Sequence, residues 1–309
     1  MKMLYLIAGL VAFVQLGCQV PKPLNPVEIV VFDVGHGHSI LVRTPDQHTC
    51  LIDGGPTFAG ANEVCPVLDS LGITELDYCI ATNYTPERIG GLDEIVRHLG
   101  GEEGILFRSL DRGSASPTDE FAEYVAAVGK RRTKIRLGQV IKLGELTITC
   151  CAVNGRVIGS KPVRVIAEQD KSIALLLSWG SFDMLIPSDL LGVATPFRPD
   201  LGTRLTDATD EIEVLVIGNF GSDKSVSYVM QEQADPVVSI ISVGPNQDSL
   251  PSQRTINRLT RRDRRLYQTN TTGSDEIPRG RGRIVQGDIW IRVYPDFYTV
   301  AGDTFRTYR

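Results

Sequence analysis

The residues able to do chemistry sit in three short stretches. Residues 76–92 read LDYCIATNYTPERIGGL. Asn83, Thr85, Glu87 and Arg88 bring an amide, a hydroxyl, a carboxylate and a guanidinium into one loop. Such a set suits a metal ion poorly, because a guanidinium stays charged at physiological pH and cannot bind a cation. In the second stretch, VGHGH, His36 and His38 stand two residues apart. A pair at that spacing can chelate zinc or manganese; the competing reading is two loop histidines without an ion. The third stretch is basic: Arg254, Arg258, Arg261, Arg262, Arg264 and Arg265, then Arg279, Arg281 and Arg283 in a Gly-rich loop. Such a patch can hold phosphates or acidic lipid headgroups. Without interleaved aromatics it does not support stacking of single-stranded bases. The competing reading is solvated arginines that balance an acidic remainder. Residues 1–250 carry 20 basic and 31 acidic side chains, residues 251–309 carry 12 and 6.

Secondary structure must place these groups. The apolar run 78–81 predicts a strand buried on both faces. Turn chemistry at 82–86 breaks it, and a helix opens at Ile89-Gly90-Gly91 and continues to about Leu99. Ahead of it, 28–34, 39–43 and 49–53 read as strands and 61–71 as a helix. After it, a strand is expected at 105–107 and a helix from 117 to about 128. Lys130-Arg131-Arg132 reads as the solvated end of that helix. Strands follow at 140–142 and 146–152, a hairpin at 172–178 and 182–187, and a loop at 192–210. Strands at 212–217, 237–243 and 265–269, a helix at 253–262 and strands at 283–285 and 288–293 complete the pattern.

The amino terminus is separate. Lys2, an apolar run over residues 3–16, then Gly17-Cys18 reads as an export signal, and the run is short for a membrane span. Leu16-Gly17-Cys18 resembles a bacterial lipoprotein cleavage site, which would put a lipid on Cys18 and anchor the chain to a membrane; Gln15 departs from the leucine usual there. The expected division is a leader at 1–18, a proline-rich linker at 19–26 and one domain at 27–309. Export would permit disulfides. Yet Cys150 and Cys151 are neighbours on a strand and face opposite sides, and no Cys-x-x-Cys pair occurs, so buried free thiols are expected.

The order of these segments resembles the metallo-β-lactamase fold family, in its ComEC/Rec2 competence variety. That family has Thr-His-x-His-x-Asp-His-Ile-Gly-Gly-Leu where this chain has Thr82, then Asn83, Thr85, Glu87 and Arg88, then Ile89-Gly90-Gly91-Leu92. The frame is present and the ligands are replaced. VFDVGHGHS resembles the family's Asp-Val-Gly-Gln-Gly-Asp-Ser. LIDGG ends on Asp53, where the family's aspartate orients ligands. At Ser188-Asp189 the family has Thr-Gly-Asp, whose aspartate bridges two metals. Asn219 and Phe220 replace two more histidines, and Leu250 sits in the family's His-Pro slot.

The resemblance implies an α+β fold: a four-layer αββα sandwich with two mixed β-sheets. It implies a pocket lined by Asp53, Asn83, Thr85, Glu87, Arg88, Asp189, Asn219, Phe220 and Leu250, without the imidazoles a two-metal hydrolase needs. Arg88 is expected to pair with Asp189, Asp53 or both; the competing reading turns it to solvent. No cofactor is expected, the alternative being zinc or manganese on His36, His38 and Asp189. Three functions stand side by side. One is an exported, lipid-anchored and non-catalytic binding or scaffolding module. Another is a phosphoesterase with an altered site. The third is a nucleic-acid-binding factor in DNA uptake, using the arginine-rich C-terminal part. No particular protein partner is implied.

Overall fold

Short apolar runs dictate short strands, and their alternation decides which way each side chain faces. In the strand Val27–Val31, Val27, Ile29 and Val31 point into one apolar cluster and Val30 into another. In Ile40–Arg43 and Thr49–Ile52 the same period of two sends Ile40, Val42, Cys50 and Ile52 to the first cluster and Leu41 and Leu51 to the second. The structure, a computed structural model, describes residues 25–100, 108–273 and 276–307. The leader, Cys18, nearly all of the linker and the strand expected at 105–107 lie outside the described residues.

Two mixed sheets result. The first runs, in spatial order, Asp303–Arg306, Phe297–Val300, Ile289–Val293, Val27–Val31, Ile40–Arg43, Thr49–Ile52, Tyr78–Ile80, Arg108–Asp111 and Arg132–Lys134. It is antiparallel up to Thr49–Ile52 and parallel beyond. The second runs Gly282–Ile284, Arg265–Gln268, Val238–Ile241, Val214–Ile217, Phe182–Ile186, Ala174–Trp179, Leu146–Val153 and Val140–Leu143, with Arg156–Val157 beside Leu146–Val153. Its first five strands are parallel and the rest antiparallel.

One apolar core lies between the sheets and one on each outer side. Helices Cys65–Ser70, Leu92–His98 and Asp119–Val128 cover the first sheet, and Gly202–Thr206, Tyr228–Ala234 and Gln253–Leu259 cover the second. This is the four-layer αββα sandwich. Thr118, Ser227 and Ser252 cap three of the helices by accepting a backbone N–H bond. Cys150 faces the inter-sheet core and Cys151 the outer one. Cys50, Cys65, Cys79, Cys150 and Cys151 are all buried free thiols.

Several expectations need correction. The segment 192–210 is not all loop: Gly202–Thr206 is helical because Leu201 and Leu205 bury on the second sheet. The helix Tyr228–Ala234 was not foreseen, since YVMQEQA shows little periodicity, yet Met230 and Ala234 are buried. The helix around 89–99 begins earlier, at Pro86–Ile89, breaks at Gly90-Gly91 and resumes as Leu92–His98. A Cβ on Gly91 would lie 2.3 Å from the Gly54 carbonyl oxygen, so the break allows two backbones to touch. The helix at 253–262 stops at Leu259, ahead of the left-handed Arg262. Arg132 is no solvated helix end: it pairs with the buried Asp111 on the neighbouring strand. The hairpin Phe297–Val300 and Asp303–Arg306 extends the first sheet past the last strand expected.

Candidate functional site

The carboxyl ends of parallel strands meet at one edge of the sandwich, and loops leaving them build sites there. The loops after Thr49–Ile52, Tyr78–Ile80, Phe182–Ile186 and Val214–Ile217 supply Asp53, residues 82–88, Ser188-Asp189 and Asn219-Phe220. Asp53, Ser188, Asn219 and Phe220 all hold left-handed backbone, φ 60°, 55°, 46° and 51°. Clustered strain of this kind marks a site that its surroundings over-determine. Gly218 allows the closest approach: a Cβ there would lie 1.6 Å from the Ser188 carbonyl oxygen.

At the centre is Arg88, 1% exposed. Its Nε donates to Asp189 Oδ2 at 2.9 Å and its Nη2 to Asp189 Oδ1 at 2.7 Å, a bidentate pair. Its Nη1 donates to Asp53 Oδ2 at 2.8 Å. Every carboxylate oxygen here has donors. Asp189 also accepts from Asn83 Nδ2 at 2.8 Å and from Asn219 N at 3.0 Å. Asp53 accepts from Thr82 N and Thr82 Oγ1, both at 2.7 Å, and lies 3.1 Å from His38 Nδ1. Thr82 Oγ1 also meets Ser188 Oγ at 2.8 Å. Asn83 is fully used: Nδ2 reaches Ser172 Oγ as well, and Oδ1 accepts from Thr85 N and Oγ1.

The electrostatics follow from burial set against this pairing. Burial would raise the Asp189 carboxyl, but the Arg88 charge and the donated hydrogen bonds outweigh it and hold it well below the usual range. Burial opposes the Arg88 charge too, yet Asp189 and Asp53 raise its pKa further. His38 is pushed down from 6.5, first by burial and then by Arg88, against the pull of Asp53. Its buried Nε2 has no hydrogen-bond partner among the described residues.

A dinuclear metal centre does not fit these residues. Where two cations would need open carboxylate and imidazole lone pairs, a guanidinium already holds both Asp189 oxygens and one of Asp53. Among the described residues no three His, Cys, Asp or Glu side chains converge as a metal-holding set. His36, His38 and Asp189 are therefore not brought together as ligands: the His36 ring packs against Phe220 at a tilt, centroids 3.7 Å apart, while His38 turns to Asp53.

Above this network opens a pocket of about 350 Å³. Thr85, Glu87, Asp189, Asn219, Phe220 and Leu250 line it, and His36 does too. Asp53, Asn83 and Arg88 lie in the floor beneath. Gln169, Arg198, Ser222 and Asp248 also line the pocket and were missed from the sequence. Arg198 arrives from an irregular loop. It donates to Asp170 Oδ1 at 2.8 Å, to the Asp189 carbonyl at 2.7 Å and to Asn219 Oδ1 at 3.3 Å. Thr82 and Ser188 join the network too and were also missed, although each stands beside an expected residue, Asn83 and Asp189.

The basic stretch lies apart and is largely engaged. Arg254 pairs with Asp223, Arg262 with Glu232, and Arg264 with Glu232 and Asp235. Arg258 is buried and donates to the Val226 carbonyl, Arg265 donates to the Asp263 carbonyl, and Arg261 covers the Tyr228 ring.

No protein-family model matches the chain. In sequence it is 24% identical over 263 residues to competence protein ComA of Neisseria gonorrhoeae, covering 85% of this chain and 34% of that protein. It is 22% identical over 290 residues to ComE operon protein 3 of Bacillus subtilis (strain 168), covering 88% and 35%. The chain thus spans about a third of the length of these curated relatives. Among solved structures, the metallo-β-lactamase fold protein YhfI from Bacillus subtilis matches with a TM-score of 0.51 at 12% identity, over 78% of this chain and 96% of that one. This chain has the metallo-β-lactamase fold and, in sequence, is similar to competence proteins of the ComEC/Rec2 type.

Proposed function

We propose that the chain is a non-catalytic relative of the ComEC/Rec2 hydrolase domain, working as a binding or scaffolding module at the bacterial cell envelope. The observation that carries this reading is the Arg88 guanidinium bridging Asp53 and Asp189. Hydrolysis by this fold needs a metal-bound hydroxide and a cationic cradle for the transition state. Here the carboxylates that would organise the ions are saturated by a fixed, buried cation. Attachment to the envelope rests on residues 1–18, with a lipid on Cys18.

Elemental analysis and a phosphodiesterase assay on the purified mature protein test the first part. Substoichiometric zinc and manganese and no turnover are expected. Stoichiometric metal with turnover that Asp189→Asn abolishes would sink it. Mass spectrometry of the amino-terminal peptide tests the second: a diacylglyceryl thioether on Cys18 is expected, and Cys18→Ala should release the protein from the membrane fraction.

A further inference from the structure

Exchanging metal ions for one guanidinium reverses the charge of the pocket, and that reversal selects a ligand. In the floor two carboxylates, Asp53 and Asp189, face the single guanidinium of Arg88. One negative charge is left uncompensated. At the mouth, Arg198 is matched by the buried Asp170. Glu87 and Asp248 also line the pocket, and among the described residues neither side chain has a hydrogen-bond or ion-pair partner. A pocket that two divalent ions would make attractive to phosphate therefore carries net negative charge.

The remaining groups narrow the class. The His36 and Phe220 rings lie in contact on the wall, tilted 33° to one another. The face of such a pair attracts a cation held over it. The buried Nδ1 of His36 has no hydrogen-bond partner among the described residues. A ligand that only donates, such as an ammonium or guanidinium, would supply what these groups lack. A bare metal ion would not, because among the described residues no three ligating side chains converge.

We propose that the pocket binds an organic cation, an ammonium or guanidinium group, seated between Glu87 and Asp248 against the His36–Phe220 pair. This rests on the metal-free reading above. The group can belong to a free polyamine or to a basic side chain of a protein. Phe197, 92% exposed and next to Arg198, offers apolar surface for residues flanking such a side chain.

The test is calorimetric titration of the full chain with spermidine, with N-acetyl-arginine amide and with the peptide acetyl-Leu-Arg-Leu-amide. Saturable single-site binding that weakens with added salt is expected. Glu87→Gln and Asp248→Asn should each weaken it about three- to fivefold, as for an exposed ion pair, with no change in thermal midpoint. Tighter binding of the peptide than of the amide would assign the group to a protein side chain; tighter binding of spermidine would assign it to a free polyamine. No binding of any of the three at millimolar concentration would overturn the proposal. So would binding indifferent to both substitutions, binding of pyrophosphate in their place, or magnesium binding lost in Glu87→Gln. Metal content and phosphodiesterase activity of the same preparation separate the two failures. Metal with turnover overturns the non-catalytic reading, whereas a metal-free, inactive protein that ignores these cations overturns only the ligand.

Discussion

Arg88 is a charged side chain in the interior, and such a group is tolerated only while its partners are in place. Removing one partner of a buried ion pair costs roughly 3–5 kcal/mol, because the other charge is left without compensation. Arg88→Met, close in volume, should therefore lower the unfolding free energy by about that amount in urea denaturation; a loss below about 1 kcal/mol would contradict the network. Arg88→Lys should recover little, because an ammonium cannot serve the two Asp189 oxygens and Asp53 in one plane. The same residues predict the response to acid. His38 and His36 are lowered in the folded state from 6.5, so below that value the unfolded chain binds more protons. Their contribution is complete above pH 6.5 and is lost as pH falls below it. Asp189 is held far below its ordinary 3.8, and its contribution is lost at still lower pH, as the medium drops under that value. Unfolding free energy measured from pH 8 to 3 should fall in these two stages, and His38→Gln should flatten the first. A profile flat from pH 7 to 5 would contradict the lowered His38 pKa.

At the scale of elements, the pocket depends on backbones that touch. Gly218 follows the strand Val214–Ile217 and lies against the Ser188 carbonyl. Gly218→Ala has no room for its methyl group, and crowding of this kind costs about 1–3 kcal/mol. It should also move Asn219 away from Asp189, so the loss should shrink when Asp189→Asn is already present. Thermal unfolding of the single and double variants measures both effects; strict additivity would show that the two loops are not coupled. This scale also separates what was readable from what was not. The strand runs, the helix after residue 118 and the frame Ile89-Gly90-Gly91-Leu92 are local patterns and were legible. The helix Tyr228–Ala234 was not, because its burial comes from the sheet beneath it. Arg132 looked like part of a charged helix end, since its partner Asp111 lies 21 positions away.

Over the whole molecule, charge divides between an acidic remainder and a basic C-terminal stretch. Within that stretch Arg254, Arg262 and Arg264 are paired with acids of the same half-sandwich. Those pairs would have to break before the arginines could hold phosphates. Binding to duplex DNA, followed by fluorescence anisotropy, should therefore be weak. Arg261→Glu with Arg262→Glu should change it by less than about threefold, well short of the loss expected from two phosphate contacts. A steep salt dependence removed by that double change would instead support a nucleic-acid surface.

From the sequence alone came the inventory and the frame: which residue types stand where imidazoles would be needed, and which runs must be strands. The first follows from the resemblance to the family's motifs, the second from periodicity over a few residues. The tertiary structure alone decided that Arg88 holds both of its expected partners, 35 and 101 positions away, instead of turning to solvent, and that Arg198 and Asp248 join the same pocket. It also decided that the balance of these charges is negative. Pairing and burial depend on distances of a few ångströms between segments far apart in the chain, and no local pattern encodes those distances.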